Sequence, residues 1–269
     1  AMSAVDRSVR VGRMLGVYEA GAYRIAVLLA KCLQGVLGAI GTVFAPIIAR
    51  CHGKQEWARL ESLYYTATRW ALLLSFPIAT ALFIFAPQVL AIFSVSAGEA
   101  VLTLRILLLG QIFNIMVGNV GIILTMAGLT KFHAWNGMLM FAAGVVLNVL
   151  LVPALGMYGA AVAAAGTVVM MNVLRVVQVW RAFQFHPFCR PVMSVVPPAV
   201  ICVGLLMVWS LSERYIPGGR LVFLAMAFLL AAGGMWVSYA MTQKCEDDRA
   251  LLKGVMGSMS RVLWPQVRS

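Results

Sequence analysis

Residues 134–180 read AWNGMLMFAAGVVLNVLLVPALGMYGAAVAAAGTVVMMNVLRVVQVW and contain a single charged side chain, Arg175. A helix needs roughly 20 apolar residues to cross the hydrocarbon core of a bilayer, so this run is long enough for two crossings. A turn at 153–156, which contains Pro153 and Gly156, divides it. We therefore predict two membrane-spanning helices here, over 134–155 and 157–174.

The rest of the chain has the same character. Of its 269 residues 62% are hydrophobic and 11% are charged, and the mean hydropathy is +0.92, whereas soluble domains are about 25% charged. Barrel strands are excluded because they would alternate apolar and polar residues. We predict an all-α, polytopic membrane helix bundle with about seven spans. The predicted spans are 22–48, 70–94, 106–128, 134–155, 157–174, 192–212 and 221–241.

The net charge of +12 comes from basic residues that punctuate the apolar runs. This spacing excludes a nucleic-acid binder, which would cluster its basic groups on one soluble face. The connections 49–69, 129–133 and 175–191, together with the tail, carry most of these residues, and an excess of Lys and Arg marks the cytoplasmic side. We therefore predict a multi-pass protein of the bacterial inner membrane with a cytoplasmic C-terminus and with residue 1 outside.

This orientation sets the predicted domain limits. A chain that begins outside without a signal peptide indicates that earlier helices precede it, so residues 1–21 are predicted to be the end of a truncated helix and an outer loop. Residues 22–241 form the seven-helix lobe, and residues 242–269 form a cytoplasmic tail with a surface helix. Segment 55–69 is predicted to lie along the cytoplasmic interface as an amphipathic helix, with Trp57, Leu60, Leu63 and Tyr64 on one side.

The predicted spans contain no Asp or Glu. A proton relay built on carboxylates is therefore not expected, and neither is a membrane hydrolase or glycosyltransferase, which needs acid and base groups. The five cysteines lack CxxC spacing. The three histidines, among them His133, fall in short polar connections and are interpreted as solvated loop side chains. We predict no catalytic residue, no metal site and no cofactor.

Cations inside the spans are the most informative residues, because a charge in hydrocarbon is costly and seldom faces lipid. Arg24 and Lys31 are seven residues apart on one face of the first span, and Gln34 follows one turn beyond Lys31. Such a face lines a cavity or a polar contact between helices. The alternative for Arg24 is that its side chain reaches outward to the lipid headgroups.

The third span shows a similar polar pattern. Arg105 opens it, and Gln111 and Asn114 follow one turn apart. Arginine forks and lysine ammonium groups both suit phosphate oxygens. We therefore predict a substrate-binding cavity lined by Arg24, Lys31, Gln34, Arg105, Gln111 and Asn114. The alternative for Arg105 is that its side chain reaches outward to the lipid headgroups. In the fifth span, Gly159 and Ala163 belong to a pattern of small residues that predicts close helix packing.

Several segments resemble a known family. DRSVRVGRMLGVYEAGAYRIA (6–26) is similar to the Asp, Gly and Gly-x-Tyr-x-x-Ala pattern that opens the second half of polysaccharide flippases of the O-antigen and capsule type. VVLNVLLVPALGMYGAAVAAA (145–165) resembles the family's Leu-Asn-x-x-Leu-(Ile/Val)-Pro followed by Gly-x-x-Gly-Ala-Ala. Segments 43–60, 74–94 and 104–132 also resemble the helices and loops between them. The likeness covers residues 3–190.

The resemblance implies membership of the multidrug, oligosaccharidyl-lipid and polysaccharide exporter superfamily, which has two pseudo-symmetric helical lobes around a cavity with alternating access. This chain corresponds to the C-terminal lobe. The implied function is export of a polyprenyl-pyrophosphate-linked oligosaccharide across the inner membrane for surface polysaccharide synthesis. The implied partners are that substrate, membrane lipids, the N-terminal lobe of the full-length protein, and a polysaccharide polymerase and chain-length regulator.

Two alternatives remain open from the sequence. The first is a multidrug/cation antiporter of the same superfamily, which is disfavoured because cationic drugs call for an acidic cavity. The second is a non-transporting membrane component, or a ligase, of the polysaccharide pathway. The lack of acid and base groups in the spans disfavours the ligase. The non-transporting component would be indicated if charge-neutral replacements of Arg24, Lys31 and Arg105 left the function of the protein unchanged.

Overall fold

The computed structural model describes residues 4–93, 95, 97–118, 120–126, 128, 130–183, 195–211, 229 and 233. All regular secondary structure in these ranges is α-helical, which confirms the predicted all-α membrane bundle. Apart from residues 229 and 233, the predicted span 221–241 and the tail 242–269 lie outside the described residues. The helices are α1 (Ala4–Gly53), α2 (Trp57–Ile84), α3 (Ala86–Ile92), α4 (Ala97–Val117), α5 (Val120–Met126), α6 (Thr130–Phe183) and α7 (Val196–Leu211).

The first helix is longer than the sequence pattern predicts. α1 is continuous from Ala4 to Gly53, so the structure has no loop between residue 4 and the predicted start of the span at 22. The segment before residue 22 is polar but contains no proline, and Arg, Met, Leu and Glu are good helix formers. Polarity therefore marked the predicted edge of the membrane and not the end of the helix.

The interfacial helix predicted over 55–69 is not a separate element. α2 runs without a break from Trp57 to Ile84, so this segment forms the first turns of a spanning helix. Leu60, Leu63 and Tyr64 are at most 2% exposed because they pack into the core of the lobe. Trp57, the fourth residue predicted on that side, is 45% exposed. Most of the apolar side of the segment therefore faces other helices and not lipid.

Two of the predicted spans are broken into shorter helices. The span 70–94 consists of the end of α2 and all of α3, with Pro87 in the first turn of α3, where its missing N–H is not needed. The span 106–128 consists of α4 and α5. Between them, Gly118 adopts a φ of +73°, a conformation that favours glycine.

The longest helix, α6, folds back on itself as a hairpin. Gly156 has non-helical angles, φ 57° and ψ −132°, and divides α6 into a first arm before it and a second arm after it. Asn136 in the first arm and Gln178 in the second exchange two amide hydrogen bonds of 2.7 and 2.8 Å. The structure therefore confirms the two helices predicted on either side of 153–156. Four segments of the described chain are long and apolar enough to span a membrane, and α6 contributes one of them.

α4 is the central helix of the lobe, packed against α1, α2, α3 and α6. A Cβ atom on Gly110 would lie 2.9 Å from the Cβ of Ala165 in the second arm of α6, so only glycine permits this approach. A Cβ atom on Gly159 would lie closer still to the backbone carbonyl of Leu151 in the first arm, and Ala163 is fully buried. These contacts agree with the close packing predicted from the small residues.

Gly110→Leu is expected to lower the melting temperature of the purified protein in detergent. The new side chain must push α4 and α6 apart, and overpacking of this kind costs about 1–3 kcal/mol. Gly137→Leu is the matched control, because a Cβ at this helical position meets no atom within 4 Å. An equal loss of stability in both variants would show that the Gly110–Ala165 contact is not responsible.

The outer surface of the hairpin is apolar. Trp135, Met138, Phe141 and Val149 in the first arm of α6 are each at least 66% exposed. A soluble monomer rarely exposes a continuous apolar surface of this size, whereas lipid chains cover it at no cost. The first arm of α6 therefore lies on the lipid-facing side of a multi-pass membrane protein.

Candidate functional site: two adjoining cavities

A small cavity of about 160 Å³ lies between α1, α4 and the second arm of α6. Lys31 and Gln34 from α1 and Gln111 from α4 provide its long polar side chains. Tyr23, which also lines it, donates a hydrogen bond of 3.4 Å from its hydroxyl to the carbonyl of Ala160. The cavity therefore has a charged and amide-rich wall from two helices and a small-residue wall from the third.

A large cavity of about 570 Å³ adjoins the small one and lies between α1, α4, α5 and both arms of α6. Its volume is in the range of about 300–1,000 Å³ that is typical of small-molecule sites. Its lining combines polar and apolar side chains, and every one of these helices contributes at least one polar group. The polar lining residues are Gln34, Asn114, Thr125, His133, Thr167, Asn172 and Arg175.

The two cavities share a wall and a chain of amide groups. Gln34 and Val168 line both of them. At their junction, the amide of Asn114 donates to Gln111 at 3.4 Å and accepts from Asn172 at 2.8 Å. A buried amide network of this kind holds α4 and α6 in one arrangement and offers oxygen and N–H groups to hydroxyl-bearing ligands.

The shared wall lies near the middle of the membrane segment of α1. The span 22–48 predicted for α1 has its midpoint at residue 35. At a rise of about 1.5 Å per residue, Gln34 lies about 1.5 Å and Lys31 about 6 Å from that level along the helix axis. The cavities therefore combine polar and charged groups at a depth where such groups serve function in transporters.

Four of the six residues predicted from the sequence lie together at these cavities. Lys31, Gln34 and Gln111 line the small cavity, and Gln34 and Asn114 line the large one. The polar face predicted on α1 thus lies next to the polar stripe predicted on α4. They meet because α1 and α4 pack directly against each other.

The other two predicted residues lie elsewhere. Arg24 is exposed and does not belong to the lining of either cavity. Arg105 donates from its Nε to the carbonyl oxygen of Phe83 at 3.1 Å, and its guanidinium carbon lies 5.4 Å from the centre of the Phe83 ring. The guanidinium of Arg105 therefore contacts α2 and not the cavities.

Sequence reasoning missed two cavity residues, Arg175 and His133. It assigned Arg175 to a cytoplasmic connection and His133 to a solvated loop, but both lie inside α6 and line the large cavity. Arg175 follows Asn172 by three residues and Val168 by seven, so the three share one helix face. That spacing in the sequence could have revealed that Arg175 belongs to the polar face of the helix. It was overlooked because the predicted span ended at 174, whereas α6 continues for nine more residues, to Phe183.

Both cavities lack acidic side chains. Among the described residues that line them, none is Asp or Glu, whereas Lys31 and Arg175 are cationic. A positive charge without an acidic neighbour favours anionic ligands and disfavours cations. With amides and hydroxyls beside the cations, the cavities have groups suited to a ligand that combines phosphate with sugar hydroxyls.

Comparison with known families returns one match. The family described as MatE matches residues 2–154, which is more than half of the chain and includes α1 to α5 and almost all of the first arm of α6. No curated protein matches the chain. The matched region contains Lys31, Gln34, Gln111 and Asn114, whereas Arg175 lies beyond it.

Proposed function

The chain belongs to the MatE family of membrane transporters in the multidrug, oligosaccharidyl-lipid and polysaccharide exporter superfamily. From this premise we propose that it is one lobe of a flippase for polyprenyl-pyrophosphate-linked oligosaccharide. The observation that carries the choice of substrate is the pair of adjoining cavities, whose described lining includes cations and amides but no acid. A cationic drug would find no counter-charge there.

In the proposed mechanism the cavities face a second, N-terminal lobe across a central space. Lys31 attracts the pyrophosphate, Gln34, Gln111 and Asn114 bind sugar hydroxyls, and the prenyl chain stays in the bilayer along the lipid-facing surface. Rocking of one lobe against the other exposes the central space to each side of the membrane in turn. No covalent step is involved, so the protein needs no catalytic group or cofactor. The C-terminus lies in the cytoplasm of a bacterial cell, and Arg24 and Arg105 assist at the outer headgroups.

The test is restoration of surface polysaccharide. The full-length gene is expressed in a strain that lacks its own flippase but still assembles the lipid-linked glycan, and surface glycan is measured by gel and by antibody staining of intact cells. Restored glycan is expected. If the cells instead gain resistance to cationic dyes and show no glycan, the multidrug alternative is correct.

Lys31→Ala is expected to reduce surface glycan about tenfold at equal protein level, because hydrogen bonds to a charged group contribute about 1.5–3 kcal/mol. Lys31→Arg, which keeps the charge, should retain most of the activity. Lys131→Ala is the matched control, since Lys131 is exposed at the start of α6 and lines neither cavity. Wild-type glycan with Lys31→Ala would remove Lys31 from the substrate site.

A further inference from the structure

We propose that Arg175 and His133 form a phosphate site in the large cavity, apart from Lys31 in the small one, and that this site binds the pyrophosphate of the substrate. This inference rests on the proposed function for the identity of the ligand. It adds two residues and a second binding position that the motifs in the sequence do not indicate.

The side chain of Arg175 forms part of the wall of the large cavity. Its Nε is shielded from solvent and has no hydrogen-bond partner among the described residues. Its guanidinium lies against α5 at Gly121, where a Cβ atom would be 3.3 Å from Cζ. A glycine at this position lets the planar group lie flat against the helix, which fixes its orientation towards the cavity.

His133 supplies a second nitrogen to the same cavity from the first arm of α6. Its Nδ1 is also shielded and has no partner in the described part of the chain. Two arms of one hairpin thus present ring and guanidinium nitrogens to a common space. A shielded polar nitrogen without a partner costs free energy, and an anion bound in the cavity would remove that cost once each side chain turns its nitrogen towards it.

Several of the other polar groups of the large cavity are engaged within the protein. Thr125 and Thr167 donate to the carbonyls of Gly121 and Ala163, and Asn172 donates to Asn114 and to the carbonyl of Val168. These side chains mainly offer acceptors to a ligand. Arg175 and His133, together with the amide of Gln34, are therefore the groups best able to donate to an anion, and guanidinium forks match phosphate oxygens in geometry.

The distance along α6 separates this phosphate site from Lys31. Lys31 lines the small cavity and not the large one, and Arg175 lines the large cavity and not the small one. Val168 lines both cavities, and Arg175 is seven residues further along the same arm, which is about 10 Å at about 1.5 Å per residue. The amides of Gln34, Asn114 and Asn172 lie between the two positions.

The experiment measures binding of farnesyl pyrophosphate, a short prenyl pyrophosphate, to the purified full-length protein in detergent by isothermal titration calorimetry. Arg175→Ala is expected to weaken binding about tenfold or more, since it removes charge-assisted hydrogen bonds. Arg175→Lys should lose severalfold, because an ammonium keeps the charge but not the fork. His133→Gln should lose less than Arg175→Ala. Arg50→Ala is the control, because Arg50 is exposed on α1 and lines neither cavity.

The outcomes separate this proposal from the proposed function. Equal affinity in the wild type, Arg175→Lys and Arg175→Ala, or no binding by the wild type, overturns the phosphate site even if the gene restores surface glycan. Binding that depends on Arg175 in a protein that restores no glycan keeps the phosphate site and overturns the flippase. Competition by inorganic pyrophosphate supports recognition of the headgroup, whereas no competition shows that the prenyl chain alone is bound and overturns the site.

Discussion

Tryptophan in place of Gly38 is expected to stop transport by the full-length protein while leaving the lobe folded. Gly38 lines the large cavity, yet a Cβ atom built on it meets no atom within 4 Å. The indole would therefore extend into the cavity without moving a helix and would occupy the space that the substrate needs. Replacing a helical glycine also removes a penalty of about 0.5–1 kcal/mol, so stability should not fall.

Gly35→Trp is the matched control for this blocking variant. Gly35 lies one turn earlier on α1 and is equally open, but it does not line either cavity. Surface glycan, protein level and melting temperature are measured for both variants. We expect surface glycan to fall at least tenfold in Gly38→Trp and to stay near the wild-type level in Gly35→Trp, an effect of more than about 1.4 kcal/mol on the rate. Full transport by Gly38→Trp would show that the substrate does not pass through the large cavity.

Gly118→Ala is expected to lower the free energy of unfolding of the protein, for two separate reasons. A left-handed conformation costs a non-glycine residue roughly 1–2 kcal/mol, and Gly118 has a φ of +73°. The new methyl group would also overlap the side chain of Thr68 on α2, which adds an overpacking cost of about 1–3 kcal/mol. The measurement is thermal unfolding of the purified protein in detergent.

A double-mutant cycle with Thr68→Ala separates the two costs. The Thr68 hydroxyl is buried and has no hydrogen-bond partner among the described residues, so its removal alone should change stability little. In the double variant the overlap is relieved but the strained φ remains, so we expect partial rescue with about 1–2 kcal/mol of destabilisation left. If Thr68→Ala brings no rescue, backbone strain alone explains the effect.

The Gly118 break also connects the fold to the cavity. Tyr64 on α2 donates from its hydroxyl to the carbonyl of Val117, the last residue of α4. Beyond the break, α5 carries Gly121 against Arg175 and contributes Thr125 to the lining of the large cavity. The position of α5, and with it one wall of the cavity, therefore depends on a bend that only glycine adopts without strain.

Much of the architecture could be predicted from composition and spacing. Bilayer thickness sets the length of a span, so the apolar runs predicted a helix within each of α1, α2, α4 and the two arms of α6. They did not predict the limits of α1 and α2, which begin earlier along the chain. Pro153 and Gly156 predicted the reversal between the arms, since one lacks an N–H and the other permits unusual angles. Helical periodicity likewise put Lys31 and Gln34 on one face, and they share a cavity.

What the sequence by itself determined is therefore the membrane class, the helical spans and which polar residues share a helix face, because these depend on local periodicity and on the bilayer. Only the tertiary structure decided which faces meet. It brought Arg175 and His133 into the large cavity and directed Arg105 to Phe83. The physical reason is that a polar stripe gives one helix a preferred side, whereas the partner of that side depends on how close the helices approach, at contacts such as Gly110 with Ala165 that are distant in sequence.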